Sequence, residues 1–491
     1  AALSTAMIAG SIVLPMTASA ETTPIFDGDT VEQEWKFDFG AAGTDAEDGY
    51  TLVTPDTNYV TNKEYGFLGI DVDSYKLGNR LDGFGNQKGQ AIKLKAGGGT
   101  GLNDAIGSVG EDSFGNAGDV YYPTRFALKA DDEAYYRVRA TVTTLDTTKD
   151  AEISLYTERK HPIFTDTKVE AGQTKTVEFS VRPTPIYYEK SEPKGTIADG
   201  MVNVCVAGKN SAIASIEIQK VQEYPVFWVL GDSTVTDGNC SLPFFRLQNY
   251  TGVGTGLTKY LPRNYAMVNE GEGGLNAADN YHFNMVKDRI KAGDYLYVEY
   301  GHNHKSDGPT GYVSNLDKYY NACHSVGATL VIVSPIERIN TFTDGAYQHT
   351  LDGFATAGAQ YVADKVTAGA TDIAYVDLNS YSLDFYNKIT TDNGGDSGAI
   401  KFYFQTAKGG GTDQTHPNDA GAENLAYEFV KAAKAVTDET QKAALAPVVN
   451  NFTDETPNLV STEITSLGSA PNSAWPQYVV PTDNEYPVVI K

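Results

Sequence analysis

The sequence predicts two domains in series, an all-β sandwich followed by an α/β domain with a mainly parallel sheet. Three observations predict this. A chain of 491 residues exceeds what one ordinary hydrophobic core organises. Up to about Lys220 the apolar residues alternate with polar ones in short runs bounded by Gly, Asp and Asn. From Tyr224 onward they form continuous runs separated by segments of helical period.

The first domain is placed at 30–222. Tyr135–Val142, Ala151–Tyr156, Thr174–Val181 and Met201–Ala207 each show the period-two pattern of half-buried antiparallel strands, and helical periodicity is scarce. A β-sandwich follows as the architecture. Ala96–Gly118, rich in Gly, Asn and Asp, reads as a long surface loop.

The second domain is placed at 224–436. Val226-Phe227-Trp228-Val229-Leu230 is the continuous apolar run of a strand covered on both faces. Similar runs recur at Met267–Val268, Tyr295–Val298, Thr329–Val333 and Ile373–Val376. Helical patterns lie between and after them, at about Leu242–Tyr260, Asn276–Ala292, Tyr312–Val326, Gly353–Ala368 and Asp419–Ala435. Strand and helix in alternation predict a doubly wound sheet with helices on both faces, which binds ligands at the carboxyl ends of its strands. Residues 437–491, rich in Pro, Asn, Thr and Ser, read as a tail that wraps the surface or a linker.

Bulk properties narrow the function. An apolar content of 41% fills packed interiors and argues against disorder, and a formal charge of −25 opposes nonspecific contact with nucleic acid or anionic lipid. An acidic glycan would also be repelled unless Lys and Arg gather near its site. The three cysteines, Cys205, Cys240 and Cys323, form no disulfide framework, and no CxxC or His-rich spacing calls for zinc. Cys240 and Cys323 share a domain and are candidates to pair, with burial as small hydrophobes the alternative. The acidic turn Asp392–Asp396 matches no EF-hand and reads as solvated loop. Neither metal nor cofactor is expected. Residues 1–20 read as a signal peptide truncated at its start: an apolar run Met7–Met16, then Ala18-Ser19-Ala20, with Glu21 as the mature start. The run is too short to span a bilayer, so a secreted, extracellular protein is expected.

Three segments carry candidate chemistry. Gly231-Asp232-Ser233-Thr234-Val235 follows the first buried strand, which places a serine hydroxyl at the ligand edge of the sheet. Read blandly, Gly-Asp-Ser is a turn and helix cap, and a free serine needs an adjacent base to act as nucleophile. Asp413-Gln414-Thr415-His416-Pro417 offers that base: across three residues Asp413 can accept the Nδ1 proton of His416, leaving Nε2 free. The same spacing also serves as an Asx-turn capping the helix near Asp419. Gly301-His302-Asn303 follows the strand at Tyr295–Tyr300, where an amide N–H₂ can face a developing oxyanion. Asn269-Glu270-Gly271-Glu272-Gly273-Gly274 follows the strand at Met267–Val268, and its glycines admit a backbone N–H close to substrate or form a plain turn.

In the order Ser, Gly, Asn, Asp-x-x-His, these blocks resemble the SGNH/GDSL hydrolases over Phe227–Ala435. Within them, Gly-Asp-Ser-Thr-Val, Gly-His-Asn and Asp-x-Thr-His look most like the rhamnogalacturonan acetylesterases of carbohydrate esterase family 12. The resemblance implies a three-layer SGNH-type sandwich with a mainly parallel five-stranded sheet. It implies Ser233 as nucleophile, His416 as base and then acid, and Asp413 as its orienting carboxylate. It also implies an oxyanion hole made of the Ser233 N–H, the Gly274 N–H and the Asn303 side chain, Gly274 being chosen over Gly273 by register. The substrate implied is an acetylated plant cell-wall polysaccharide, rhamnogalacturonan (pectin) first, with acetylated xylan or a lipid ester as alternatives. A non-catalytic exported carbohydrate-binding protein is the competitor from another class. Two departures bear on the substrate: Leu275-Asn276 stands where the family has Arg-Ser, and His304 where it often has Asp. The first domain, with Lys36-Phe37-Asp38-Phe39-Gly40 and Asp48-Gly49-Tyr50, resembles galactose-binding-like sandwiches, as carbohydrate-binding module or as spacer. Tyr121-Tyr122 and Tyr187-Tyr188 are candidates to stack on sugars or to cover a core edge. His161, His282, His324 and His349 read as surface or packing residues, and His302 as a residue that structures the Asn303 turn.

Overall fold

In the computed structural model the described residues are 22–59, 64–68, 76–77, 80–81, 94–98, 104–108, 124–158, 160–188, 195–197, 200–238, 250–407 and 411–459. The segment at 1–20 read as a signal peptide, Tyr121-Tyr122, Cys240 and most of 437–491 lie outside them, as do the side chains of Tyr187 and Tyr188.

The alternating segments of the first domain pair into two antiparallel layers. One runs in the order 174–181, 135–144, 211–221, 31–39, 51–53, its last pair being parallel. The other runs 161–169, 151–157, 201–207, 124–129, 65–67. Because successive side chains point to opposite faces of a strand, each layer sends one set inward. Phe37 and Phe39 from one layer meet Phe126 from the other at ring-centroid distances of 4.9 and 5.1 Å. The surface loop expected at Ala96–Gly118 is in part ordered structure: Leu94–Gly98 and Asp104–Ser108 form an antiparallel pair that adds to the first layer at Ile106 and Ile213. Ala105 and Ile106 are fully buried there. Glycine-rich composition hides this strand pair because Gly97 and Gly107 pack against the backbone of Leu145 and Ser211, where a β-carbon would come within 2.4 Å of a carbonyl oxygen.

In the second domain, Val226–Gly231 is the second of five strands in the order 266–269, 226–231, 295–299, 329–333, 373–376, all parallel. Its residues divide between two cores. Phe227 and Val229 face a core shared with the helices Leu378–Asp392, Asp419–Lys434 and Glu439–Val449. Val226, Trp228 and Leu230 face a second core shared with Tyr281–Lys287, Leu316–Val326 and Asp352–Thr367. That division explains why the run has no polar alternation: both faces are covered. Trp228 fits because its indole N–H donates to Asp294 at 2.9 Å.

Helix boundaries depart from the sequence reading at several places. Of Leu242–Tyr260, the helix Val253–Leu257 is described and 241–249 falls outside. Asn276–Ala292 contracts to Tyr281–Lys287, since Asn276 and Asp279 cap turns with their own side chains. Tyr312–Val326 divides into Gly308–Val313 and Leu316–Val326. The helix Leu378–Asp392 was not expected, its polar residues masking the period while Asp377 caps its start. The reading of 437–491 as a tail needs correction at its start. Glu439–Val449 is a helix capped by Asp438, with Leu445 and Val448 buried against the first core. Cys323 is a buried free thiol on the helix Leu316–Val326, and Cys205 is buried in the strand Met201–Ala207.

Leu445→Ala is expected to cost about 2–5 kcal/mol, as large-to-small core changes do. Leu459→Ala, at a side chain 57% exposed, should stay within about 0.5 kcal/mol. Equal, small effects in denaturant unfolding would contradict the packing described for this helix.

Candidate active site

Parallel register brings three loops to one edge of the sheet. The strand 226–231 lies between 266–269 and 295–299, so the segments following them emerge side by side. Glu270 N–H donates to Val229 O at 2.8 Å and Glu272 N–H to Gly231 O at 3.1 Å, which carries the glycine loop along the flank of the serine turn. Asn303 Nδ2 donates to Leu275 O at 2.8 Å, tying the third loop to the first. Gly231 has no room for a side chain: a β-carbon would lie 2.7 Å from Glu299 O and 2.6 Å from Val235 Cγ2.

At the serine turn the bland and functional readings of Gly-Asp-Ser are served by different atoms. Asp232 Oδ1 accepts from Thr234 N–H at 3.0 Å and Thr234 Oγ1 at 2.9 Å, so aspartate makes the turn. Ser233 Oγ is left to the base, 2.9 Å from His416 Nε2. The histidine loop divides its labour likewise. Asp413 Oδ1 accepts from the N–H groups of Thr415 at 2.7 Å and His416 at 2.9 Å, while Oδ2 lies 2.9 Å from His416 Nδ1. The helix itself is capped by Asn418, whose Oδ1 accepts from Gly421 N–H at 2.9 Å. Burial alone would raise the Asp413 carboxyl, but the imidazole and the two backbone donors hold it below its ordinary value.

Among the expected oxyanion donors, the N–H groups of Ser233 and Gly274 have no hydrogen-bond partner among the described residues, and Asn303 commits a single N–H. The neighbouring Gly273 N–H is taken by Glu272 Oε1 at 2.6 Å. Gly274 has φ of 82°, a backbone conformation glycine adopts freely.

Sequence reasoning missed several residues. Tyr250 packs edge-on against the His416 ring at 5.0 Å, and its hydroxyl donates to Ser233 O. Arg338, half-buried, donates through Nε to His302 Nδ1 at 3.3 Å, which leaves the ring proton on Nε2. Its neighbour Ile339 N–H donates to Gln414 O at 3.0 Å, fixing this loop to the histidine loop. Neither residue sits in a motif; both follow from which loops the sheet order makes neighbours. Burial keeps His302 below its ordinary value, and His304 is occupied structurally, accepting from Ala277 N–H at 3.0 Å and pairing with Asp307 at 3.0 Å. Of the histidines read as packing residues, His282 holds Glu270 O at 3.0 Å, whereas His161 reaches Asp237 at 2.9 Å from the other domain.

Beneath the site lie buried carboxylates that hold loops leaving the sheet. Glu337 accepts from Thr350 and Leu351 N–H, each at 2.7 Å, and from Asn379 Nδ2 at 3.1 Å. Glu299 meets Tyr297 Oη, Thr234 Oγ1 and Ile336 N–H. Burial, aided by the charge of Asp232, pushes it up to about 8.

No family model and no curated protein matches the chain. Several solved structures do. Protein YXIM from Bacillus subtilis is 18% identical, with 82% of this chain and 98% of that one covered and a TM-score of 0.38. Axe2, an acetylxylan esterase from Geobacillus stearothermophilus, is 16% identical, covering 42% and 93% at a TM-score of 0.30. A family two carbohydrate esterase from Cellvibrio japonicus is 12% identical, covering 58% and 85% at 0.22. At these values the likeness assigns no function, which has to be argued from the site.

Because the Glu299 carboxyl sits above its usual value of 4.5, this position holds more proton in the folded protein than in the unfolded chain from about pH 4.5 to about 8. The associated stability is full below that window and lost as pH rises through it. Glu299→Gln removes the titration. Its melting temperature should exceed that of the wild type by at least about 2–4 °C at pH 8, with the gap narrowing toward pH 4.5. A gap independent of pH would remove Glu299 from this role.

Proposed function

We propose that this protein is a secreted serine esterase of SGNH type that removes O-acetyl groups from a plant cell-wall polysaccharide, rhamnogalacturonan before neutral glycans. The observation that carries the reading is the chain Asp413 Oδ2, His416 Nδ1, His416 Nε2 and Ser233 Oγ, with 2.9 Å at both junctions.

Ser233 Oγ attacks the acetyl carbonyl carbon as its proton passes to His416 Nε2, and Asp413 stabilises the imidazolium that results. Negative charge gathers on the carbonyl oxygen, facing the N–H groups of Ser233 and Gly274 and the amide of Asn303. Each such donor is worth about 2.7–4 kcal/mol. Collapse expels the sugar hydroxyl, which takes the proton from His416. Water, deprotonated by the same imidazole, then attacks the acetyl carbon, and His416 returns that proton to Ser233 Oγ as acetate leaves. No metal or cofactor enters this sequence.

Arg338 supports an acidic over a neutral glycan. It places a guanidinium beside His302, where the Leu275-Asn276 departure leaves the glycine loop without a cation. The xylose backbone of acetylated xylan and lipid esters present no carboxylate for it.

Ser233→Ala is expected to abolish acetate release and fluorophosphonate labelling while the fold, read by circular dichroism, is unchanged; retained turnover would exclude Ser233 as nucleophile. Since a protonated imidazole cannot accept the serine proton, kcat/KM should fall with acidification, and a profile that keeps its full value in acid would exclude His416 as the base. Arg338→Gln should raise KM for acetylated pectin fragments about tenfold relative to KM for acetylated xylooligosaccharides, the worth of one charge-assisted hydrogen bond. Equal changes on both substrates would remove Arg338 from substrate choice.

A further inference from the structure

One of the places where the β-sandwich meets the α/β domain lies between the strands Ala151–Thr157 and His161–Val169. Glu158 and Lys160 both have positive φ, 46° and 61°, unusual for residues with side chains. The Lys160 side chain is 1% exposed and enters the other domain, where Nζ donates to Asp419 Oδ1 at 2.9 Å, Tyr250 O at 3.2 Å and Thr251 Oγ1. Thr251 Oγ1 donates in turn to Asp419 Oδ1. A buried ammonium is costly unless its hydrogen bonds are met, and here three acceptors meet it.

What Lys160 holds is the segment between the two halves of the triad. Tyr250 touches the His416 ring and the Ser233 carbonyl. Thr251 N–H donates to Pro417 O at 3.1 Å, next to His416, while Gly252 and Val253 N–H donate to Thr236 O and Thr234 O, both at 2.8 Å. Asp419 opens the helix three residues after His416. His161 completes the brace on the opposite flank. It lies 2.9 Å from Asp237 Oδ1, which also accepts from Thr255 Oγ1 at 3.0 Å and Asn269 Nδ2 at 2.9 Å. Asn269 Oδ1 then accepts from Gly271 N–H at 2.9 Å in the glycine loop.

We propose that Lys160, seconded by His161, is a positioning residue that sets the distance between Ser233 and His416, so that the sandwich completes the catalytic machinery of the domain beside it. This rests on the serine-esterase reading above. Lys160 does not touch substrate; it acts through Tyr250, Thr251 and Asp419. Loss of the ammonium leaves the Tyr250–Thr251 segment and the start of the catalytic helix without their common anchor.

The test compares Lys160→Met with Val142→Ala in the full chain. Val142 is buried in the sandwich core, where it pairs with Lys175 and Ile213, so its truncation lowers the melting temperature without touching the brace. At a temperature well below both melting points, Lys160→Met should be labelled by fluorophosphonate at least tenfold more slowly than wild type. Its kcat for 4-nitrophenyl acetate should fall similarly, with KM changed less than twofold, while Val142→Ala keeps wild-type values. Where Lys160→Met does not fold, Lys160→Met/Asp419→Asn, which strands no carboxylate, is measured in the same way. Labelling of the lysine variant at the rate of Val142→Ala overturns the proposal and leaves the esterase reading standing. A wild-type protein that takes no label removes both.

Discussion

One hydrogen bond joins residues 183 positions apart, from Ser233 to His416, and the rest of the α/β domain is arranged around the requirement that it form. Neither partner is held by hydrophobic packing alone. The serine turn is fixed by the Asp232 carboxylate, the histidine loop by Asp413 and by the cap at Asn418, and the gap between them by the segment starting at Tyr250. Each anchor is a polar group bonded to backbone. The chain here has left the sheet ladder, and its N–H groups need acceptors wherever water is absent.

That requirement accounts for the buried acids. Asp232, Glu272, Glu299 and Glu337 are all essentially buried at the carboxyl edge of the sheet. Glu272 and Glu337 meet loop N–H groups directly, and Glu299 links the serine turn to the loop at Ile336. Part of the strong negative charge of the chain is therefore internal scaffolding.

The boundary between the domains follows the same pattern. Lys259 bonds Glu423 at 3.2 Å and Thr165 at 2.7 Å, fully buried, while Arg137 donates to Asn264 O at 2.9 Å. Buried charge with directional bonds fixes orientation more narrowly than an apolar contact of equal area.

The sequence by itself determined the change from half-buried to fully buried strands at Tyr224, the serine and the glycine loop each just after a strand, and the local pair Asp413 and His416. These are matters of period and short spacing, which neighbouring residues carry. The paired strands at Leu94–Gly98 and Asp104–Ser108 escaped because glycine packed on backbone has no hydrophobic signature. The helix Glu439–Val449 escaped because a composition rich in polar residues and Pro447 outweighed a short apolar stripe. Only the tertiary structure decided that strands 266–269, 226–231 and 295–299 are neighbours, that Tyr250 and Arg338 stand at the site, and that Lys160 arrives from another domain. Such contacts join residues far apart in the chain, and no local pattern of residues encodes which distant strand or loop will lie alongside.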